Sequence, residues 1–210
     1  WDPVALTEEL GTRWEIARNY FKRHSCCRYC HGALDVLARI CADTDFQVSD
    51  IDKIKVETYS LAAQLNDRSP RNTLAAKFSV PFAIASTLVN GHSGLASFTW
   101  EAIGRDEIMA LASRVEVVED KTLTAMVPDY RPARVKISLK DGQLLEGFTR
   151  TNRGDSEDPY TQDVLTEKFF ELTTRVWPSA AAEAVFAAAM RIERLGGVDT
   201  LTGPVTVPLS

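Results

Sequence analysis

The stretch Ala133–Thr151 constrains the fold more than any other part of the chain. Val135, Ile137 and Leu139 alternate with Lys136, Ser138 and Lys140, the two-residue period of a strand with one buried face. Asp141-Gly142 then supplies the positive-φ dipeptide of a tight turn, and Leu144–Thr151 returns. This hairpin is antiparallel. Around it, helical and strand patterns interleave, so the sequence reads as an α+β layered domain, helices packed on a mainly antiparallel sheet.

Arg13–Phe21 reads as a strand rich in aromatic and branched residues. Ser25 offers a hydroxyl cap for the helix that follows, where Cys30, Leu34, Leu37 and Cys41 recur on one apolar face. Asp52–Ser60 is a second strand, with Ile54 and Val56 opposite Lys53, Lys55 and Glu57. Asn66–Arg71 is a polar break, and Asn72–Asn90 reads as helix with Pro81 at a kink or near its start. After the loop Gly91–Gly94, Asp106 caps a short helix through Ala112, and Arg114–Glu119 is a strand. Asn152–Tyr160 is a loop. Leu165, Phe169, Leu172 and Val176 mark an amphipathic helix, and Pro178 opens an Ala-rich one that runs to Gly196-Gly197.

Composition excludes several functions. With 24 basic and 29 acidic residues the net charge is −5, which argues against nucleic acid and against an acidic membrane surface. No apolar run reaches 18 residues, so no segment spans a bilayer as a helix. Four cysteines in 210 residues do not make a disulfide scaffold, and with no secretory signal at the start the expected compartment is the cytoplasm. The chain opens Trp1-Asp2-Pro3 without a methionine, so we expect a processing or cloning boundary there.

Cys27-Arg28-Tyr29-Cys30-His31 matches C-x-x-C-H, the string that attaches c-type haem, but nothing else speaks for export or haem. Zinc wants two spaced pairs of ligands; Cys26, Cys27, Cys30 and His31 form one crowded cluster, and His24 and His92 do not complete a pattern. A redox pair lacks its βαβ setting. Cys30 and Cys41 are better read as small apolar core residues; about 16 Å of helix separates them, too far for a bond. No metal is expected.

The charge around this string carries more. Residues 13–31 hold Arg13, Arg18, Lys22, Arg23 and Arg28 against Glu15, a local +4 in an acidic chain. Such a run is commonly a solvated face. Here Lys22 and Arg28 flank a strand-to-helix junction, where free amides and the helix dipole also favour anions. Cations plus amides point to a carboxylate or phosphate site.

FKRHSCCRYCHGALD (residues 21–35) resembles the MmgE/PrpD family pattern F-K-P-Y-P-C-C-R-Y/W-T-H-x-A-I-D. AKFSVPFAIASTLVNGHSGLASFT (residues 76–99) is similar to the family's A-K-F-S-x-P-Y-x-x-A run and its D/N-G loop. Arg114–Asp120 and the loop Gly154–Pro159 also fit in place. The family includes 2-methylcitrate dehydratases, cis-aconitate decarboxylases and iminodisuccinate epimerases. The resemblance implies a cofactor-free lyase or isomerase, a 2-methylcitrate dehydratase-like lyase foremost, acting on a small di- or tricarboxylic acid as a homodimer. It implies an α+β lid domain over residues 1–177, with residues 178–210 returning as a helix and tail to an N-terminal helical domain. That domain carries the family's catalytic Asp and His residues.

Carried over by position, the resemblance makes Lys22 the active-site lysine. It sets Cys27, Arg28, His31, Lys77 and Phe82 along the substrate pocket. Arg23-His24-Ser25 replaces Pro-Tyr-Pro, Cys30 stands where Thr is usual, and Phe82 replaces a Tyr, so a proton donor is missing there. Proton loss beside a carboxylate builds negative charge that fixed cations stabilise best in a water-poor cleft. Arg28 could grip a carboxylate with two bonds, and Lys22 could act as electrostatic partner or proton shuttle. His31 could equally be a helix-packing residue. The competing class is a binding module that captures such an acid without turning it over.

Overall fold

The computed structural model describes residues 2–205. The chain divides into two compact units, Trp1–Tyr160 and Thr161–Ser210.

In the first unit a four-stranded sheet runs in the order β2-β1-β3-β4, with β1 Ile51–Thr58, β2 Val115–Glu119, β3 Ala133–Leu139 and β4 Leu144–Thr149. The expected hairpin forms as β3–β4, in the register Lys136↔Glu146 and Ile137↔Leu145. β3 also pairs antiparallel with β1, whereas β1 and β2 are parallel. A parallel pair needs a long crossover. Here it is helical, made of α2 Ser60–Ala63, α3 Thr73–Lys77, α4 Val80–Asn90, α5 Trp100–Ile103 and α6 Asp106–Ser113. The short α7, Lys121–Thr124, leads from β2 towards β3.

The strand period decides which face is covered. Ile54, Val56, Val115, Val135 and Ile137 are fully buried and share one core with α1 Arg28–Asp43, α4 and α6. α1 comes so close to β4 that a Cβ on Gly147 would lie 2.8 Å from Val36 Cγ1, so the seat of this helix needs the missing side chain. Ile40 is the last buried residue of α1, and Cys41 beyond it is exposed rather than part of the core stripe. The helix outruns the layer it packs on.

Local chemistry also moves several expected boundaries. Arg13–Phe21 is not a strand: Glu15–Arg18 form a 3-10 turn, and Arg13 is tied locally to Glu9 at 2.7 Å and Glu15 at 2.6 Å. These short-range bonds replace a sheet partner. Cys27, not Ser25, is the N-cap of α1. Asp106 is the first residue of α6, inside the helix, and Arg105 is the cap. The helical reading over 72–90 splits in two because Ser79 caps α4, accepting a bond from the Phe82 amide at 2.9 Å, with Pro81 in the first turn.

In the second unit, α8 Gln162–Thr173 and α9 Ser179–Ala189 are followed by the short α10, Asp199–Thr202. Phe169, Phe170 and Phe186 stack with ring centroids 5.2 to 5.3 Å apart. α9 ends at Ala189, ahead of the expected Gly196-Gly197 stop. Residues 206–210 of the expected tail lie outside the described residues. Among the described residues no helix is long and apolar enough to cross a membrane.

The outer face of the sheet is dominated by charge, with Leu144 and Phe148 of β4 exposed beside it. Glu57 lies at its centre, 3.0 Å from Lys55, 3.0 Å from Arg134 and 3.2 Å from Lys136. Burial acts to raise its pKa, but hydrogen bonds from Arg134, Lys55 and Lys136 outweigh that and hold it at about 2. A carboxylate depressed in the folded state adds stability above its unfolded pKa, and that stability is lost as pH falls towards 2. Solvent on this open face screens the effect to on the order of 1 kcal/mol. Glu57→Gln is therefore expected to cost about 1 kcal/mol at pH 7 and almost nothing near pH 2, read from urea unfolding at both pH values. An equal cost at both would contradict the assignment.

Candidate functional site

Between the exposed N-terminal stretch and α1, residues 21–27 are suspended from two loops and the end of α3 by backbone hydrogen bonds. Phe21 donates to Gly154 at 3.0 Å, Ser25 to Ser93 at 3.0 Å and Cys27 to Lys77 at 2.8 Å. The stretches 76–99 and 154–159, far apart in the chain, therefore both meet this short basic segment. Gly154 makes the first contact possible. Its φ is +93°, and a Cβ there would sit 2.5 Å from both the Phe21 carbonyl oxygen and the Tyr160 ring.

The two cations singled out from the sequence have different fates. Arg28 does bind a carboxylate, but it is the chain's own Asp155, reached by Nη2 at 2.6 and 2.7 Å. Its Nε reaches Asn152 Oδ1 at 3.3 Å, and its guanidinium carbon lies 3.7 Å from the centre of the Tyr20 ring. The guanidinium thus ties α1 to the 152–158 loop. Lys22 is exposed and makes no ion pair or hydrogen bond among the described residues. It is a cation on a segment whose backbone is held on both sides.

Cys27 caps α1 with its side chain half-buried, and Lys77 is half-buried at the end of α3. His31 is fully buried; its Nε2 lies 3.4 Å from the Cys26 carbonyl, and its Nδ1 has no hydrogen-bond partner among the described residues. Phe82 is likewise fully buried, its ring 6.2 Å from that of Phe98. In this domain both are core residues. Cys26 and Cys30 are neighbouring thiols in the core; the Cys30 thiol lowers the pKa of Cys26, while Cys26 and burial raise that of Cys30. Cys30 and His31 are buried in α1, and no group of His, Cys, Asp and Glu among the described residues is arranged to hold a metal ion.

Several polar groups at this site escaped the sequence reading. His24 is 6% exposed and lies 2.5 Å from Ser93 Oγ through Nδ1 and 3.0 Å from Asp35 Oδ1 through Nε2. Asp35, 7% exposed, also accepts the Arg153 amide at 2.9 Å. The available signal was Asp35 itself, an acid within the apolar run Ala33–Leu37 of a buried helix, which must have partners. Asn152 and Asp155 gave no comparable signal.

Gly154→Ala is expected to destabilise the first unit by about 2–4 kcal/mol, from a strained φ and a clash with backbone. Urea denaturation checks this; a change within about 0.5 kcal/mol, as for an ordinary surface site, would contradict the close approach.

The profile of the MmgE/PrpD C-terminal domain matches residues 24–192. A cis-aconitate decarboxylase-like protein, oryM, of Aspergillus oryzae (strain ATCC 42149 / RIB 40) is 22% identical over 211 aligned residues, which cover 96% of this chain and 43% of that protein. The chain thus spans less than half the length of that relative. The motifs that meet at residues 21–27, the α+β layers behind them and the extent of the profile match agree: the chain belongs to the MmgE/PrpD family and carries its C-terminal domain.

Proposed function

We propose that this chain is one wall of a cofactor-independent enzyme that acts at carbon next to a carboxylate in a small tricarboxylic acid. Decarboxylation of cis-aconitate is the leading reaction. The observation that carries the reading is Lys22, an exposed cation without an ion pair or hydrogen bond among the described residues, on a backbone fixed by Gly154, Ser93 and Lys77. Family membership supports a lyase or isomerase, and the name of the Aspergillus relative favours decarboxylation over the dehydration expected first from the sequence.

When the carbon–carbon bond to a leaving carboxylate breaks, its electron pair stays on the substrate and spreads towards a neighbouring carboxylate. A fixed ammonium stabilises that charge without reorganising during the step. In this reading Lys22 is the electrostatic partner. Arg28 acts indirectly: paired with Asp155, it fixes the 152–158 loop against which the Lys22 segment lies. Cys27 and Lys77 border the same wall, and His31 and Phe82 support it from the core. The remaining walls come from a helical domain of the same protein, to which residues 178–210 return, and the assembly is a homodimer.

In the complete protein, Lys22→Ala is expected to lower cis-aconitate turnover about 10²- to 10³-fold with an unchanged thermal melt, because the side chain is exposed. Carbon dioxide release against time measures it. Near-normal turnover removes Lys22 from the mechanism. Binding of cis-aconitate by the wild type without any turnover would favour a capture module instead.

A further inference from the structure

We propose that Ser93, His24 and Asp35 form a proton relay that makes the Ser93 hydroxyl the acid–base group of this wall. The three groups are in line: Ser93 Oγ to His24 Nδ1 is 2.5 Å, and His24 Nε2 to Asp35 Oδ1 is 3.0 Å. The network assigns the proton positions. Asp35 accepts at both oxygens, from the Arg153 amide on one and from the imidazole on the other. A carboxylate only accepts, so in the neutral imidazole the proton is on Nε2. Nδ1 then presents a lone pair, and the Ser93 hydroxyl donates to it.

This is the order of groups that activates a hydroxyl in hydrolases, with the two ring nitrogens exchanged. A gradient of burial gives it direction. Asp35 and His24 are buried at the inner end, held by Arg153 and by the edge of the His31 ring at 4.9 Å. Ser93 is only partly buried, on the Gly91–Gly94 loop, and its carbonyl accepts the Ser25 amide within the Lys22–Arg28 segment. The outer end of the relay thus lies against the basic segment, and its inner end is fixed. Ser93 is the catalytic residue of the three; His24 and Asp35 are positioning residues that act through it.

The role in turnover rests on the carboxylic-acid reading above; the reactivity of Ser93 does not. In a decarboxylation the carbon–carbon bond breaks, its electron pair stays on the substrate and carbon dioxide leaves. In this step His24 is the imidazolium, its Nδ1–H donating to Ser93 Oγ and the Ser93 hydroxyl turned to the substrate: the substrate carbon takes the Oγ proton as Oγ takes the Nδ1 proton, leaving the neutral ring. A proton from water, whose hydroxide combines with the released carbon dioxide as bicarbonate, restores the imidazolium, and Asp35 holds its charge throughout.

The test uses the complete protein and two probes, cis-aconitate and diisopropyl fluorophosphate. In the second reaction Ser93 Oγ bonds to phosphorus, fluoride leaves and the hydroxyl proton passes to His24, with no carboxylic acid involved. Peptide mass spectrometry is expected to find the adduct on Ser93. His24→Gln and Asp35→Asn should slow labelling at least about tenfold, the latter because an amide donating to Nε2 reverses the tautomer. Ser93→Ala should lower kcat for cis-aconitate about 10²-fold or more and leave KM within about threefold, a split that a merely structural hydroxyl would not produce. No adduct on wild-type Ser93 overturns the relay, whatever the turnover. An adduct combined with full turnover by Ser93→Ala overturns its role in the reaction. A His24-dependent adduct on a protein that releases no carbon dioxide from cis-aconitate overturns the decarboxylase reading and leaves the relay standing.

Discussion

The bond from the Phe21 amide to the Gly154 carbonyl is the contact on which the candidate site depends. It brings two backbones together at a place where no Cβ fits, so the basic segment can lie against the 152–158 loop only because residue 154 is glycine. Two further backbone bonds, from Ser25 and Cys27, fix the same segment against the 91–94 loop and the end of α3. Backbone bonds of this kind do not depend on side-chain identity. The positions of Lys22 and His24 therefore follow from the path of the chain, and their chemistry from what each side chain then meets.

Charge is used unevenly across the domain. On the open face of the sheet, Lys55, Arg134 and Lys136 converge on Glu57, and the cations there are largely spent on holding strands in register. At the site, Arg28 is spent in the same way on Asp155, across 127 residues of sequence. Lys22, exposed and without an ion pair among the described residues, remains open to a ligand. A +4 run in the sequence is thus a poor measure of available positive charge, because the partners that neutralise it come from elsewhere in the fold.

The α+β class, the β3–β4 hairpin and the apolar stripe of α1 were legible because they rest on local periodicity, which is written in consecutive residues. Arg13–Phe21 misled for a related reason: its aromatic and branched residues suit a strand, yet pairing needs a free sheet edge, and the local bonds of Arg13 to Glu9 and Glu15 took over. Cys41 fits the helical period but lies beyond the covered part of α1, and how far a layer extends is a tertiary quantity. At the site, a shared wall of residues 21–35 and Lys77 was expected through the family resemblance; the approach of Gly154 to it was not. The Arg28–Asp155 and His24–Asp35–Ser93 contacts were not, because each joins residues whose partner could be any polar group in the chain.

The central claim is that residues 21–27 form a rigid wall and not a loose continuation of the exposed stretch before them. Amide hydrogen exchange, resolved by residue in the native protein, tests it most directly. The account predicts that the Phe21, Ser25 and Cys27 amides exchange slowly and together with the buried turns of α1. Exchange of these three at the rate of the exposed stretch 2–19 would contradict it.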